Sequence, residues 1–245
     1  MQADASRRDY GRAGRIGVGT PQANPTVEAE FRQLLPARVE FLTTRLVSSR
    51  ADARERLVEY LERLDDYLAA YGGLALDLFC FACTGSSYLL GHARERERVD
   101  HAAQRFGYPV LTATEALEER LHQLRATRIA LLAPYPRWLI DAAADWWRSR
   151  GFEVSSCHPV AIARPGDTRS IYELTSADAL AAARAAGDLR ADALLMSGTG
   201  MATLPALAAI RASVGVPVVT SNLALAGQAL ARLGLVPSAL PGAGG

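Results

Sequence analysis

The chain contains no lysine: all 27 of its basic Lys or Arg residues are arginines. That excludes imine chemistry on a lysine amine and the lysine of a phosphate-binding P-loop. Cysteine is nearly as scarce, with three in 245 residues. An odd count without a secretory leader argues for free thiols in a reducing compartment, with the cytoplasm as the default. No apolar run approaches the roughly 20 residues that cross a bilayer. A net charge of +1 gives no field to attract nucleic acid or an anionic membrane. His92, His101, His122 and His158 show no metal-ligand spacing. Cys80-Phe81-Ala82-Cys83 has the form C-x-x-C but lies on one strand, and no second pair completes a zinc site. The glycine runs starting at Gly17 and at Gly198 each lack the third glycine of a dinucleotide fingerprint. No metal and no organic cofactor is expected.

What is present reads as an ordinary globular composition, 49% hydrophobic and 22% charged, in a chain long enough for two cores. Its most informative feature is a repeat. Asp77-Leu78-Phe79-Cys80-Phe81-Ala82-Cys83-Thr84-Gly85 is an apolar run of buried-strand length that stops at small and polar residues. Asp192-Ala193-Leu194-Leu195-Met196-Ser197-Gly198-Thr199-Gly200 repeats it, so Cys83 in the first copy corresponds to Gly198 in the second. Tyr108-Pro109-Val110-Leu111-Thr112-Ala113 is echoed by Val216-Pro217-Val218-Val219-Thr220-Ser221 in the same way.

Strand and helix alternate between these landmarks. Strands are expected at residues 16–19, 39–46, 76–83 and 109–112, then again at 128–133, 152–156, 193–197 and 216–221. Helices are expected at 27–35, 92–106, 115–124, 138–150, 176–186, 204–213 and 223–233. One more, carrying Leu57, Leu61, Leu64, Leu68 and Tyr71 at three- and four-residue spacing, stops at Gly72-Gly73. Thr114 is a plausible N-cap of the helix over 115–124, and Glu28 and Glu30 suit the dipole of the first helix. Short apolar strands joined by helices imply parallel sheets covered on both faces. The predicted fold is α/β, with two pseudo-twofold domains, each a four-stranded parallel sheet flanked by helices, facing each other across a cleft. The expected boundaries are a disordered tail over 1–14, a first domain over 15–113 completed by the C-terminal helix 223–235, a second domain over 114–222, and a flexible tail over 236–245.

These pieces resemble the aspartate/glutamate racemase superfamily, and within it the maleate isomerase and arylmalonate decarboxylase branch. The resemblance runs from about residue 15 to 235. It rests on Pro21-Gln22-Ala23-Asn24-Pro25-Thr26-Val27-Glu28, Ala82-Cys83-Thr84-Gly85-Ser86, Ala133-Pro134-Tyr135, Ser197-Gly198-Thr199-Gly200-Met201-Ala202-Thr203-Leu204-Pro205 and Gly215-Val216-Pro217-Val218-Val219. Members flank the reacting carbon with one cysteine from each domain. The branch adds an asparagine after the first strand, matched by Asn24, and a tyrosine in the second half, matched by Tyr135. A second asparagine of the isomerases belongs near Asp167-Thr168, where this chain has none. The main departure is Gly198 in place of the second cysteine. The decarboxylases keep only that second thiol, so this chain is their mirror image.

The resemblance therefore implies a cofactor-independent enzyme working on a small carboxylate or dicarboxylate through one thiol, Cys83. Asn24 and Tyr135 would hold the substrate, along with Pro21, Thr84, Gly85, Ser86, Ser197, Gly198, Thr199 and Gly200. Two-thiol racemisation needs an acid and a base on opposite faces and is disfavoured. Cis–trans isomerisation of a maleate-like diacid and decarboxylation of a 2-substituted malonate both remain open, as does a degenerate protein that only binds a diacid. A homodimer is also left open. Cys83, at a helix start, is expected to have a lowered pKa, Cys80 and Cys157 are expected to be structural, and Trp146 and Trp147 to be packing. Moving the thiol to position 198 is expected to move the face of proton delivery.

Overall fold

The computed structural model describes residues 8–164 and 168–236; of the tails expected at 1–14 and 236–245, residues 1–7 and 237–245 lie outside the described residues. In the first half, β1 (Gly14–Pro21), α1 (Thr26–Leu34) and β2 (Val39–Leu46) are followed by α2 (Ala53–Glu62), α3 (Leu64–Ala69), β3 (Leu78–Phe81), α4 (Thr84–Leu90), α5 (His92–Phe106), β4 (Val110–Thr112) and α6 (Ala113–Gln123). The second half runs β5 (Arg128–Ala133), α7 (Arg137–Ser149), β6 (Glu153–Pro159), a 3₁₀ segment Thr168–Glu173, α8 (Ser176–Ala185), β7 (Ala193–Met196), α9 (Leu207–Ser213), β8 (Val218–Thr220) and α10 (Ser221–Arg232).

Each half builds one four-stranded sheet, in the orders β2-β1-β3-β4 and β6-β5-β7-β8, and every pairing is parallel. The α/β fold expected from the alternation is present. In both sheets the order reverses beside the first strand of the half. Ligands of open α/β sheets bind at the carboxyl ends of the strands flanking such a switch point. Here those strands are β1 and β3 in one half, β5 and β7 in the other.

The repeated aspartates have a common job. Asp77 Oδ2 accepts the backbone N–H of Arg15 at 2.7 Å, at the start of β1. Asp192 Oδ2 accepts those of Thr127 and Arg128, both at 2.8 Å, at the start of β5. Each aspartate fixes the register of the motif strand against the first strand of its half. Arg8 also pairs with Asp77 at 3.0 Å, and Ala13 N–H donates to Arg38 O, so residues from 8 onward are held on the first sheet.

The two halves share one interior. A single apolar cluster takes in Ile16, Phe31 and Phe81 from the first half with Ile129, Leu131 and Trp147 from the second. The other face of the second sheet has its own cluster around Leu132, Leu194, Met196 and Ile210. α4 packs on α7, and α6 and α10 pack on each other, with α10 also reaching α1. Trp146 and Trp147 are core residues, stacked edge-on around Tyr88.

Several local expectations need correction. The helix expected through Leu57 to Tyr71 is two helices, broken at Arg63. The cap of α6 is Thr112, whose hydroxyl accepts Glu115 N–H; Thr114 donates instead to the buried Glu95. Glu30 is not a solvated first-turn acid. It is 3% exposed and accepts Thr203 N–H at 2.7 Å, Leu204 N–H at 2.9 Å and Asn222 Nδ2–H at 2.7 Å, tying α1 to the second half. Cys157 lies exposed on the edge strand β6, where alternate residues face solvent, so it has no packing role to match that of the fully buried Cys80.

Candidate active site

Four strand ends converge where the halves meet. Pro21 closes β1 and begins a turn in which Asn24 N–H returns to Pro21 O at 2.9 Å. Cys83 follows β3 as the N-cap of α4. Tyr135 lies just beyond β5, and Ser197, Gly198, Thr199 and Gly200 follow β7. A small cavity of about 40 Å³ is lined by Pro21, Asn24, Cys83, Thr84, Gly85, Tyr135, Gly198, Thr199 and Gly200, with Leu57, Leu139, Thr168, Ile171 and Tyr172 completing the wall. Of the residues named from the sequence, Ser86 and Ser197 stand behind that wall rather than in it. Other cavities in the protein are larger, but this one collects the thiol and both switch points.

Hydrogen bonds stitch the loops directly together. Thr199 Oγ1 donates to Ala82 O at 2.9 Å, and Thr26 Oγ1 donates to Gly200 O at 2.9 Å. The Tyr135 hydroxyl lies 2.6 Å from Thr84 Oγ1 and 3.1 Å from Ser197 Oγ, joining the thiol loop to the glycine loop. Ser197 Oγ is in turn 2.8 Å from the Tyr88 hydroxyl, which accepts Trp147 Nε1–H at 3.1 Å. Thr84, Tyr135, Ser197 and Tyr88 are all buried, and each of their hydroxyls has its partner in this network. The network therefore fixes Tyr135 in one orientation. Burial pushes the Tyr135 and Tyr88 phenols well above their ordinary range, so both remain protonated donors.

Asn24 serves two purposes. Its Oδ1 accepts Thr26 N–H at 2.9 Å and Val27 N–H at 3.4 Å, capping α1. Its Nδ2 lies 3.4 Å from Thr199 Oγ1, on the cavity side. The two N–H contacts fix which end of the amide is oxygen. The rival readings of this residue, cap and substrate contact, use different atoms and are compatible.

At Cys83 the expectation of a lowered pKa is reversed. The Sγ accepts Ser86 Oγ–H at 3.3 Å, and the Ser86 and Gly85 N–H groups also favour the thiolate. Desolvation is the larger effect, and it pushes the thiol up. Cys83 is a neutral thiol at neutral pH in this closed site.

Gly198 is more than a missing side chain. Its φ is +130°, a conformation that L residues rarely adopt, and a Cβ there would lie 3.2 Å from Pro134 Cδ and 3.5 Å from the Tyr135 hydroxyl. At Gly200 a Cβ would strike the Tyr172 ring at 2.8 Å. The second loop is built around glycine, so the thiol exchange expected from the repeat meets a strained backbone.

Among the described residues no three His, Cys, Asp or Glu side chains gather as a metal-holding group, and no helix is long and apolar enough to cross a membrane. The sequence reading missed Leu57, Leu139, Ile171 and Tyr172 as wall residues and Tyr88 and Trp147 as the support of Tyr135.

Comparison with known proteins agrees with this fold. A maleate isomerase of Pseudomonas putida is 32% identical over 94% of this chain and 95% of its own length. The structure of a Nocardia farcinica maleate cis-trans isomerase, a cysteine-to-serine mutant with a covalently bound succinylcysteine intermediate, superposes with a TM-score of 0.83 at 26% identity, covering 94% of this chain and 96% of that one. An arylmalonate decarboxylase carrying glycine-to-cysteine and cysteine-to-serine changes shares the fold, with a TM-score of 0.78 at 22% identity over 90% of this chain and 93% of that one. These relatives are enzymes, and the chain is accordingly an isomerase-like or decarboxylase-like enzyme. The sequence pattern of the arylmalonate decarboxylase family matches residues 16–244. Its coverage of both sheets and all four site loops shows that the chain belongs to the arylmalonate decarboxylase family.

Proposed function

We propose that the protein is a cis–trans isomerase of a maleate-like dicarboxylate, with Cys83 as nucleophile. The observation that carries this is the meeting of Cys83, Asn24 and Tyr135 in one cavity at the joined switch points, in a chain 32% identical to a maleate isomerase. In the first step the Cys83 thiolate adds to one alkene carbon. A C–S bond forms while the π pair moves onto the neighbouring carbon and its carboxylate, giving an enediolate. The former double bond, now single, rotates. The electron pair then re-forms the alkene as the C–S bond breaks, returning the thiolate, and the reaction balances with no net proton. Asn24 Nδ2–H and the Tyr135 hydroxyl are the donors for the carboxylate that becomes the enediolate. Both are preorganised by the contacts described above, which is the arrangement that favours charge developing in a transition state. Because burial raises the thiol, the Cys83 proton passes to solvent before the addition, and the thiolate available for it grows as pH rises.

A second reading is favoured by one specific observation, the glycine at position 198. With one thiol, a malonate substrate would lose CO2 to an enediolate held by the same donors, and Cys83 would protonate it. Proton NMR in D2O separates them. Conversion of maleate to fumarate supports isomerisation. Conversion of an aryl- or alkylmalonate to a monodeuterated acid, with maleate untouched, would replace it by decarboxylation. Maleate binding without turnover of either substrate would leave only a binder.

A further inference from the structure

Next to the Cys83 cavity lies a larger one of about 320 Å³, and the two share Leu57, Thr168 and Tyr172 as a common wall. Its lining carries Arg50, Arg56 and Arg169 and no acidic residue. Arg56, on α2, is the unusual member. It is 7% exposed, yet its guanidinium contacts only neutral acceptors: Arg50 O at 3.2 Å, Ala51 O at 3.3 Å and Thr168 Oγ1 at 3.4 Å. A buried charge is normally paired with an opposite one, and among the described residues Arg56 has no carboxylate partner. Tyr60, one turn along α2, lines the same cavity. It is 3% exposed, and among the described residues its hydroxyl makes no hydrogen bond. Arg56, Leu57 and Tyr60 share one face of α2, and Leu57 lines both cavities, which brings Arg56 and Tyr60 up to the Cys83 site. By contrast, the Cys83 cavity itself has room for only on the order of three water molecules.

We infer that this vestibule is the site of the substrate's second carboxylate, held by the Arg56 guanidinium and the Tyr60 hydroxyl while the reacting carbon faces Cys83. The inference rests on the proposed reading of the Cys83 site and sharpens it: the substrate is a dianion, with one carboxylate at Asn24 and Tyr135 and the other at Arg56 and Tyr60. Arg50 at the mouth is already paired with Glu55 and Glu59, at 3.8 and 3.7 Å, so the charge recognition falls to Arg56. Arg56 then acts on specificity by recognising charge, and not only as a strut between the loop at 50–51 and Thr168.

The test uses protection of Cys83 from iodoacetamide in the full chain, read by mass spectrometry of the Cys83 peptide. The probes are maleate and succinate, each compared with its monomethyl ester. In the wild type the diacid should protect at a roughly 10- to 100-fold lower concentration than its ester, the range for losing one charge-assisted hydrogen-bonded group. Arg56→Gln should reduce that ratio to within about threefold while leaving ester protection unchanged. Arg56→Lys should keep part of the ratio, because the charge remains without the fork. Tyr60→Phe, which removes one oxygen and preserves packing, should lower the ratio several-fold and keeps the test open if Arg56→Gln does not fold. Equal loss of diacid and ester protection in Arg56→Gln would make Arg56 a strut and overturn the inference. So would a wild type that protects equally with diacid and ester, although the reading of the Cys83 site would survive that result. If no carboxylate protects Cys83 in the wild type, the reading of the site falls, and this inference with it.

Discussion

The two halves of this molecule use one scaffold and end it differently. Asp77 and Asp192 each clamp the start of a neighbouring strand, six residues before the loop that matters. β3 and β7 are both fully buried four-residue strands. At the strand ends the likeness stops. One loop presents Cys83 as the cap of a helix, while the other presents Gly198 at a φ of +130°. The difference teaches that the register-setting parts, which both halves need for folding, are common to them, while the loop chemistry differs. The second loop became a wall and a source of backbone and hydroxyl contacts, with Ser197 anchoring Tyr135 and Thr199 tied to the thiol loop.

The strongest way to break this comparison is to remove the thiol. Cys83→Ala is expected to lower turnover by more than about 10³-fold, the scale seen when a nucleophile is lost, whereas Cys80→Ala and Cys157→Ala retain activity. Equal losses in all three would mean that the first loop has no special chemistry. Next in size are the donors. Tyr135→Phe and Asn24→Ala should each reduce kcat/KM by roughly 10- to 1000-fold. Asn24→Ala should also lower stability by about 0.5–2 kcal/mol, because its Oδ1 caps α1, and Tyr135→Phe by about 1–3 kcal/mol, because Thr84 and Ser197 lose a buried partner. Denaturant melts of both variants separate the two effects, and wild-type kinetics in both would take these residues out of the site.

The comparison is sharpened by asking whether the second loop accepts a side chain. Gly198→Cys restores the two-thiol pattern on paper, but the backbone conformation and the Pro134 contact predict a stability loss of about 1–3 kcal/mol. Gly198→Ala should cost a similar amount, since the penalty belongs to Cβ and not to sulfur. A Gly198→Cys protein as stable as the wild type would show that the loop has kept the conformation of a cysteine-bearing ancestor. A further consequence follows from burial. The Cys83 pKa is raised, so the neutral thiol dominates below and through the ordinary cysteine range, and the thiolate fraction grows only as pH climbs past it. The iodoacetamide rate at Cys83 should still be rising at pH values where that of an ordinary exposed cysteine has levelled off. A plateau near neutral pH would mean that the N–H groups of α4 outweigh desolvation.

How much of this was legible in the sequence depends on what each residue answers to. β2, β5 and α5 match their expected spans because apolar runs and helical periodicity report local structure directly. Cys83 was named from its place at a strand end, Asn24 and Tyr135 from the family resemblance, and the three line one cavity. α4 was expected only as a helix start after Cys83, without a span, because Thr84-Gly85-Ser86-Ser87 looks like a loop. Its polar groups are buried and taken up by Tyr135, Cys83 and Glu95, partners from elsewhere in the chain or fold. Glu30, Arg56 and Tyr60 were invisible for the same reason. On their helices they look like ordinary members of amphipathic faces, and only the second half and the adjoining cavity reveal that they are buried.

The smallest expected effect tests the parts that did not diverge. Asp192 holds two backbone N–H groups and the Thr127 hydroxyl, and those bonds lower its pKa below the usual carboxylate value. A carboxyl group whose folded pKa is depressed contributes stability that is fully present above its unfolded value, near 3.9, and is lost as pH falls through the folded one. In Asp192→Asn the amide oxygen still accepts one N–H but carries no charge. Its melting temperature at pH 6–7 should therefore fall by only about 1–2 °C. The gap from the wild type should close as pH drops below the usual carboxylate range, where the aspartate itself becomes neutral. If Asp192 is a register clamp and nothing more, kcat/KM at neutral pH should be unchanged while that pH-dependent gap appears. A gap that persists undiminished in acid would assign the loss to geometry instead of charge. A fall in kcat/KM without any change in melting would mean that the second half shapes the Cys83 site through its strand register as well as through its loop.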